Sequence, residues 1–140
     1  LYPTRKIVEL TGRTGESMRR EETSISYYED GSLSSVDKRV KEGEMEIERT
    51  IVRYMESVLL PVTKLADAGG QMDWTYAYDK NKWCTQIIYK ENFGEEMIVS
   101  QTYTYQKTDD AGNWTEALRE QEAPAVDEAT DRVLRLIRYY

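Results

Sequence analysis

The sequence predicts a mostly β protein: an antiparallel meander of consecutive hairpins, about eight to ten strands, with at most one short helix near residues 61–68. Three observations carry this. Short segments alternate apolar and polar residues, as a half-buried strand requires. Asp, Asn and Gly recur between those segments as turn residues. The aromatic content is skewed to eleven Tyr and three Trp against one Phe, rings with a polar end that suit a sheet whose faces are only partly covered. Such a meander could lie as a single twisted sheet or curl into an open barrel or sandwich.

In chain order, Arg5 to Thr11 reads as a first strand ending at Gly12, with Gly15 closing a short turn. Glu22 to Tyr28 reads as the next, followed by Glu29-Asp30-Gly31-Ser32. Asp-Gly between alternating runs is a hairpin signal because both central residues can take positive φ. The return strand is Leu33 to Lys41, and after Gly43 the run from Glu44 to Tyr54 puts Met45, Ile47 and Ile51 on one face and Glu44, Glu46 and Glu48 on the other. One face buried and the other wet is the expectation there.

Met55 to Gly70 breaks the alternation. Pro61 fits the first turn of a short helix stopped by Gly69, or else marks an edge or loop. This irregular segment, 57–70, joins two degenerate meander halves, about 1–56 and 71–140, within the single domain that a chain of 140 residues supports.

In the second half Trp74, Tyr76 and Tyr78 share a face, and Trp83, Thr85, Ile87 and Tyr89 share one on the return from the turn at Asp79-Lys80-Asn81-Lys82. After a turn at Glu91 to Glu95, Met97, Val99, Tyr103 and Tyr105 fall on one side of the next strand. The turn at Asp109 to Asn113 leads into Trp114 to Glu122, Ala123-Pro124-Ala125 makes a loop, and Arg132 to Tyr140 closes the chain. That last piece fits a helical stripe almost as well as a strand. Comparison within the chain favours the strand, since Arg49 to Tyr54 and Arg132 to Tyr139 both end in an aliphatic pair, Arg and Tyr. By the same comparison Tyr28-Glu29-Asp30-Gly31, Tyr78-Asp79-Lys80-Asn81 and Tyr105 to Asn113 are variants of one theme, a Tyr strand end feeding a polar turn.

Net charge is -7, so the long-range field repels nucleic-acid phosphates and anionic lipid, and we expect neither as a partner. No apolar run approaches the ~18 residues of a membrane span. The chain opens at Leu1, as expected of a processed product whose targeting peptide or lipid anchor lay before residue 1. Cys84 is the lone cysteine, so compartment cannot be read from disulfides, and the residue reads as a small buried or half-buried side chain rather than a reactive thiol.

The chain contains no His, which excludes Ser-His-Asp and Cys-His mechanisms and argues against zinc. Catalysis would fall to carboxylate pairs, and Glu44, Glu46, Glu48, Glu116, Glu120 and Glu122 sit at alternating strand positions better explained as a solvated face. Asp109, Asp110 and Asn113 could offer oxygens to calcium, but the spacing is too short for a calcium loop and Asx-turn chemistry accounts for them. No metal and no cofactor are expected.

Tyr76-Ala77-Tyr78-Asp79-Lys80-Asn81-Lys82-Trp83 and Asp109-Asp110-Ala111-Gly112-Asn113-Trp114-Thr115 resemble the Tyr-x-Tyr-Asp-x-x-Gly-Asn-Trp-Thr motif of YD-repeat (Rhs-type) proteins, and more closely short secreted bacterial lipoproteins of unknown function. The first copy is a residue short and lacks the Gly. The second has Gln106 and Lys107 where Asp is expected, and the Tyr28 copy lacks Trp. The resemblance covers about a third of the chain. It implies an antiparallel meander and an exported, periplasmic or cell-surface protein; in that family the motif is structural, so it implies no catalytic residue.

The leading expectation is a non-enzymatic exported structural or binding module that contacts a glycan or a protein through an aromatic sheet face. Trp74, Tyr76, Tyr78, Trp83, Tyr103, Tyr105 and Trp114 are the residues for that face. The alternative is a carboxylate-dependent carbohydrate hydrolase, which needs two carboxyls about 5 to 9.5 Å apart, one with a raised pKa. A third arrangement puts the rings in a homo-oligomer interface.

Overall fold

The computed structural model describes residues 5–14, 17–123 and 126–137, with side chains described over 19–123 and 130–137. Ten strands follow one another in chain order across one open sheet: β1 (Arg5–Thr14), β2 (Ser17–Tyr27), β3 (Leu33–Glu42), β4 (Met45–Tyr54), β5 (Pro61–Asp67), β6 (Gln71–Tyr78), β7 (Cys84–Asn92), β8 (Glu96–Thr108), β9 (Trp114–Ala123) and β10 (Val126–Leu134). Each short connection returns the chain antiparallel beside the strand just completed, which is the meander the turn spacing predicts. No helix occurs among the described residues. The chain divides into two compact units, Leu1–Trp74 with Glu91–Glu96, and Thr75–Lys90 with Met97–Tyr140.

In the first unit, residues 61–67 form strand β5, where the short helix near 61–68 was the expectation. Pro61 opens the strand opposite Tyr54, a position at which its missing N–H breaks no ladder bond. From there Thr63 pairs with Arg53, Lys64 with Val52 and Leu65 with Ile51, so the free edge of β4 recruits a segment whose own preference was undecided. The Met55 N–H donates to the Leu60 carbonyl at 2.8 Å and closes the connecting turn.

The alternation in β4 does not bury one face. Met45 is 65% exposed and no β4 side chain is buried, since among the described residues of this unit no second layer covers β4. Val40 on β3 is the one buried apolar side chain described in this unit. Ion pairs line the sheet as well, some within a strand and some between neighbours. Asp37 accepts from Arg39 Nη2 and Arg49 Nη2, each at 3.0 Å, while Glu22 takes Arg20 at 3.0 Å and Lys41 at 3.9 Å. Burial pushes the Asp37 carboxyl up, but the hydrogen bonds from Arg49 and Arg39 outweigh it and hold the group below its ordinary range.

Three turns share one backbone. The Tyr28 N–H donates to the Ser32 carbonyl at 2.8 Å and the Gly31 N–H to the Tyr28 carbonyl at 3.0 Å. The same two bonds join Asp79 with Trp83 and Lys82, both at 2.9 Å, and Asp109 with Asn113 and Gly112 at 2.8 and 3.0 Å. The fourth residue of each turn is left-handed: Gly31 at φ 83°, Lys82 at 64° and Gly112 at 80°. At the first turn Gly31 alone has positive φ, so Asp30-Gly31 is not the two-residue loop with two left-handed residues that the dipeptide suggests.

In the second unit β8, β9 and β10 are in register with Tyr105 opposite Ala117 and Ala117 opposite Val133. The C-terminal strand extends to Leu134; residues 135–137 lie outside it, and the Arg138 and Tyr139 used in the internal comparison lie outside the described residues. So do Gly15, placed in a turn, and Pro124 and Ala125, placed in a loop.

Candidate aromatic face

The turns aim the rings. In the second and third turns the first residue is Asp, and its Oδ1 accepts two backbone N–H groups: Asn81 at 2.8 Å and Trp83 at 3.0 Å for Asp79, Ala111 at 3.0 Å and Asn113 at 2.9 Å for Asp109. These are Asx turns, and they fix the backbone just before Trp83 and Trp114. They also commit the Asp109 oxygen that a calcium ion would need.

The two Trp rings meet on one Tyr. The Tyr105 ring lies 4.9 Å from Trp83 and 5.4 Å from Trp114, tilted by 58° and 53°, the range in which aromatic quadrupoles attract. Trp83 precedes β7 rather than belonging to it, so strand alternation does not govern its ring. The Tyr105 hydroxyl donates to the Cys84 carbonyl at 2.5 Å, and the Arg135 guanidinium stands 5.2 Å from the Trp114 ring.

Below this cluster the register builds rows across three strands. Tyr105, Ala117 and Val133 form one, and Tyr103, Arg119 and Asp131 the next. Gln101 faces Gln121 in a third. Ala117 is fully buried between its neighbours. Tyr103 donates to Gln101 Oε1 at 3.1 Å, Gln101 Nε2 donates to Gln121 Oε1 at 2.9 Å, and Arg119 donates to Asp131. The opposite side carries Thr102 with Glu120, Thr104 with Leu118 and Arg132, and, past a bulge, Lys107 with Glu116. Lys107 at 2.8 Å and Arg132 at 3.4 Å lie over Glu116. The hydrogen bond from Lys107 holds its carboxyl low, and burial opposes this only in part because two flexible cations cover the group rather than a protein interior.

Tyr76 and Tyr78 belong to the same unit, half-buried and at alternate positions of β6. Burial, then the nearby Cys84 thiol, raises the pKa of Tyr76 and pushes Tyr78 up to about 12. Burial comes first for Tyr105 too, again to about 12, with Cys84 next. The Cys84 thiol is itself raised by burial, which makes it a poor nucleophile.

Of the seven residues assigned to an aromatic face, Trp83 and Trp114 each touch Tyr105, Tyr103 sits one row away from Tyr105, and Tyr76 and Tyr78 lie in the same unit. Trp74 falls in the first unit, where Lys64 Nζ stands 4.7 Å from its ring. Gln101, Arg119, Gln121, Asp131 and Arg135 complete the surroundings and were not singled out by sequence. Alternation from Tyr103 could have placed Gln101; the others needed the register.

No family model, curated protein or solved structure matches this chain. Among the described residues no group of three or more His, Cys, Asp or Glu side chains could hold a metal ion, and no helix is long and apolar enough to cross a membrane.

Proposed function

We propose that this chain is a non-enzymatic, exported structural or binding module that contacts a glycan or a protein through the aromatic face of its second unit. The observation that supports this is the Trp83, Tyr105 and Trp114 cluster: three half-buried rings, with Tyr105 in contact with each tryptophan, held by a pair of Asx turns and backed by a hydroxyl bond to Cys84. Rings locked in this way lose little entropy when a sugar or an apolar side chain stacks on them. Export rests on the YD-repeat resemblance of the turns. The carboxylates favour a binding role over the hydrolase alternative. Asp30, Asp37 and Glu116 are all driven below the ordinary range, Asp30 first by the Ser32 hydroxyl, whereas a glycosidic general acid must be raised.

Tryptophan emission with iodide quenching, run against a panel of soluble glycans, tests the reading. Quenchable, red-shifted emission that a glycan protects, and that Trp83→Phe with Trp114→Phe abolishes, is the expected result. Emission that is indifferent to every glycan and unquenchable even where the chain is a monomer would overturn it.

A further inference from the structure

Resting on that reading, we propose that the partner of the aromatic face is a second copy of this chain, the two sheets meeting face to face about a two-fold axis. Three observations carry it. The first is layering. A sheet buries its apolar side against another layer, yet the described strands of the second unit lie in one sheet and Ala117 is the one buried apolar side chain described there. Tyr103 and Tyr105 in the rows beside it are only half-buried.

The second is charge. The second unit carries eight Lys and Arg against nine Asp and Glu, a net of -1, whereas the first carries eleven against seventeen, a net of -6, and together they make the -7 of the chain. On the proposed face the charged pair Arg119 and Asp131 is matched strand to strand, Arg135 stands over the Trp114 ring, and Gln101, Gln121, Tyr103, Tyr105, Ala117 and Val133 bear no charge. The reverse side of the same strands presents Glu116, Glu120, Glu122, Lys107 and Arg132. Two copies of an acidic chain therefore meet less like-charge repulsion through this face than through its reverse side.

The third is area. About forty strand residues at roughly 3.3 Å rise and 4.8 Å strand spacing project about 650 Å². Two copies then bury about 1,300 Å², inside the range of a specific interface and with the Tyr and Arg content such interfaces favour. In a two-fold arrangement each chain contributes this same surface, so Gln121 enters the interface once from each chain and a change there counts twice.

The test is sedimentation equilibrium of the full chain from about 1 to about 100 µM, a range that brackets a micromolar dimer. Gln121→Glu adds a charge to the face while keeping the oxygen that accepts from Gln101, so the fold is retained, as circular dichroism verifies. Thr104→Glu adds the same charge to the exposed reverse side. We expect a dimer that Gln121→Glu weakens about tenfold or more and Thr104→Glu leaves unchanged. A dimer indifferent to Gln121→Glu, or weakened equally by both, overturns the proposal. A monomer throughout the range overturns it too. If that monomer's tryptophans are protected by a glycan, the binding-module reading survives; if nothing protects them, both fail.

Discussion

Lys82 occupies a position that the equivalent turns give to glycine, and replacing it should stabilise the protein. Its φ of 64° is left-handed, where a side chain costs about 1–2 kcal/mol relative to glycine because Cβ crowds the following carbonyl. Glycine returns part of that gain through its freer unfolded chain, about 0.5–1 kcal/mol. Lys82→Gly should therefore raise stability by about 0.5–1 kcal/mol, or roughly 2–4 °C in melting temperature for a chain of this size. Gly112→Lys is the converse. A Cβ at Gly112 would meet nothing within 4 Å, so the loss there comes from backbone conformation at φ 80° and not from a clash. It should match the gain at Lys82 within about 0.5 kcal/mol, the scatter of independent sites. Urea unfolding followed by far-ultraviolet circular dichroism measures both, with unchanged slope confirming that the native and unfolded states are otherwise alike. A destabilised Lys82→Gly protein would refute the equivalence of the two turns.

Tyr105→Phe keeps both ring contacts and loses the bond to the Cys84 carbonyl, costing about 1 kcal/mol, while Tyr105→Ala should cost about 2–3 kcal/mol more because two aromatic pairs go as well; equal losses in urea unfolding would remove the rings from the account. The Tyr105 hydroxyl, pushed up to about 12, favours the neutral form in the fold, so its contribution is present below about pH 10 and lost as pH rises through 12. Absorbance at 295 nm should show that late titration, and Tyr105→Phe should reduce its amplitude, leaving the part that belongs to Tyr78. Asp37→Asn breaks two partly exposed Arg pairs and should cost about 0.5–1 kcal/mol at neutral pH. Because the folded pKa of Asp37 is depressed, that contribution is present above its unfolded value near 4 and fades as pH falls through the folded one, so wild type and variant should converge in acid melts. Cys84, with its thiol raised by burial, should react with a disulfide reagent at pH 8 at least about tenfold more slowly than in the urea-unfolded chain.

Much of the architecture is legible in local residues. Alternation in 33–41 and 96–106 and the recurrence of Asp, Asn and Gly between such runs are enough for a meander, because hairpin pairing is local in sequence. The kinship of the turns at Tyr28, Asp79 and Asp109 is legible in part: all three have a left-handed fourth residue, but Asp opens only the second and third, and in the first Tyr28 stands there with Asp30 two places on. Lys82 hid part of that pattern by standing where Gly was expected. Residues 61–68 were not legible: Pro61 followed by Val62 and Thr63 is compatible with a helix start or a strand start, and the edge offered by β4 chose. Nor did the period-two pattern of β4 reveal that both faces would stay wet, since alternation reports which side chains share a side and says nothing of what lies over them.

The aromatic residues divide along the same line. Their abundance, their places at strand ends and the absence of His belong to the sequence, and with them the weight against His-dependent catalysis. Which rings touch is a tertiary matter. Trp83 reaches Tyr105 from the open ends of the consecutive strands β7 and β8, Arg119 meets Asp131 through the register of β9 with β10, and Trp74 falls in the other unit beside Lys64. The physical reason is that a strand's own residues set its turns and its two faces, while register and pairing partners are set by bonds between strands that no short stretch of sequence contains.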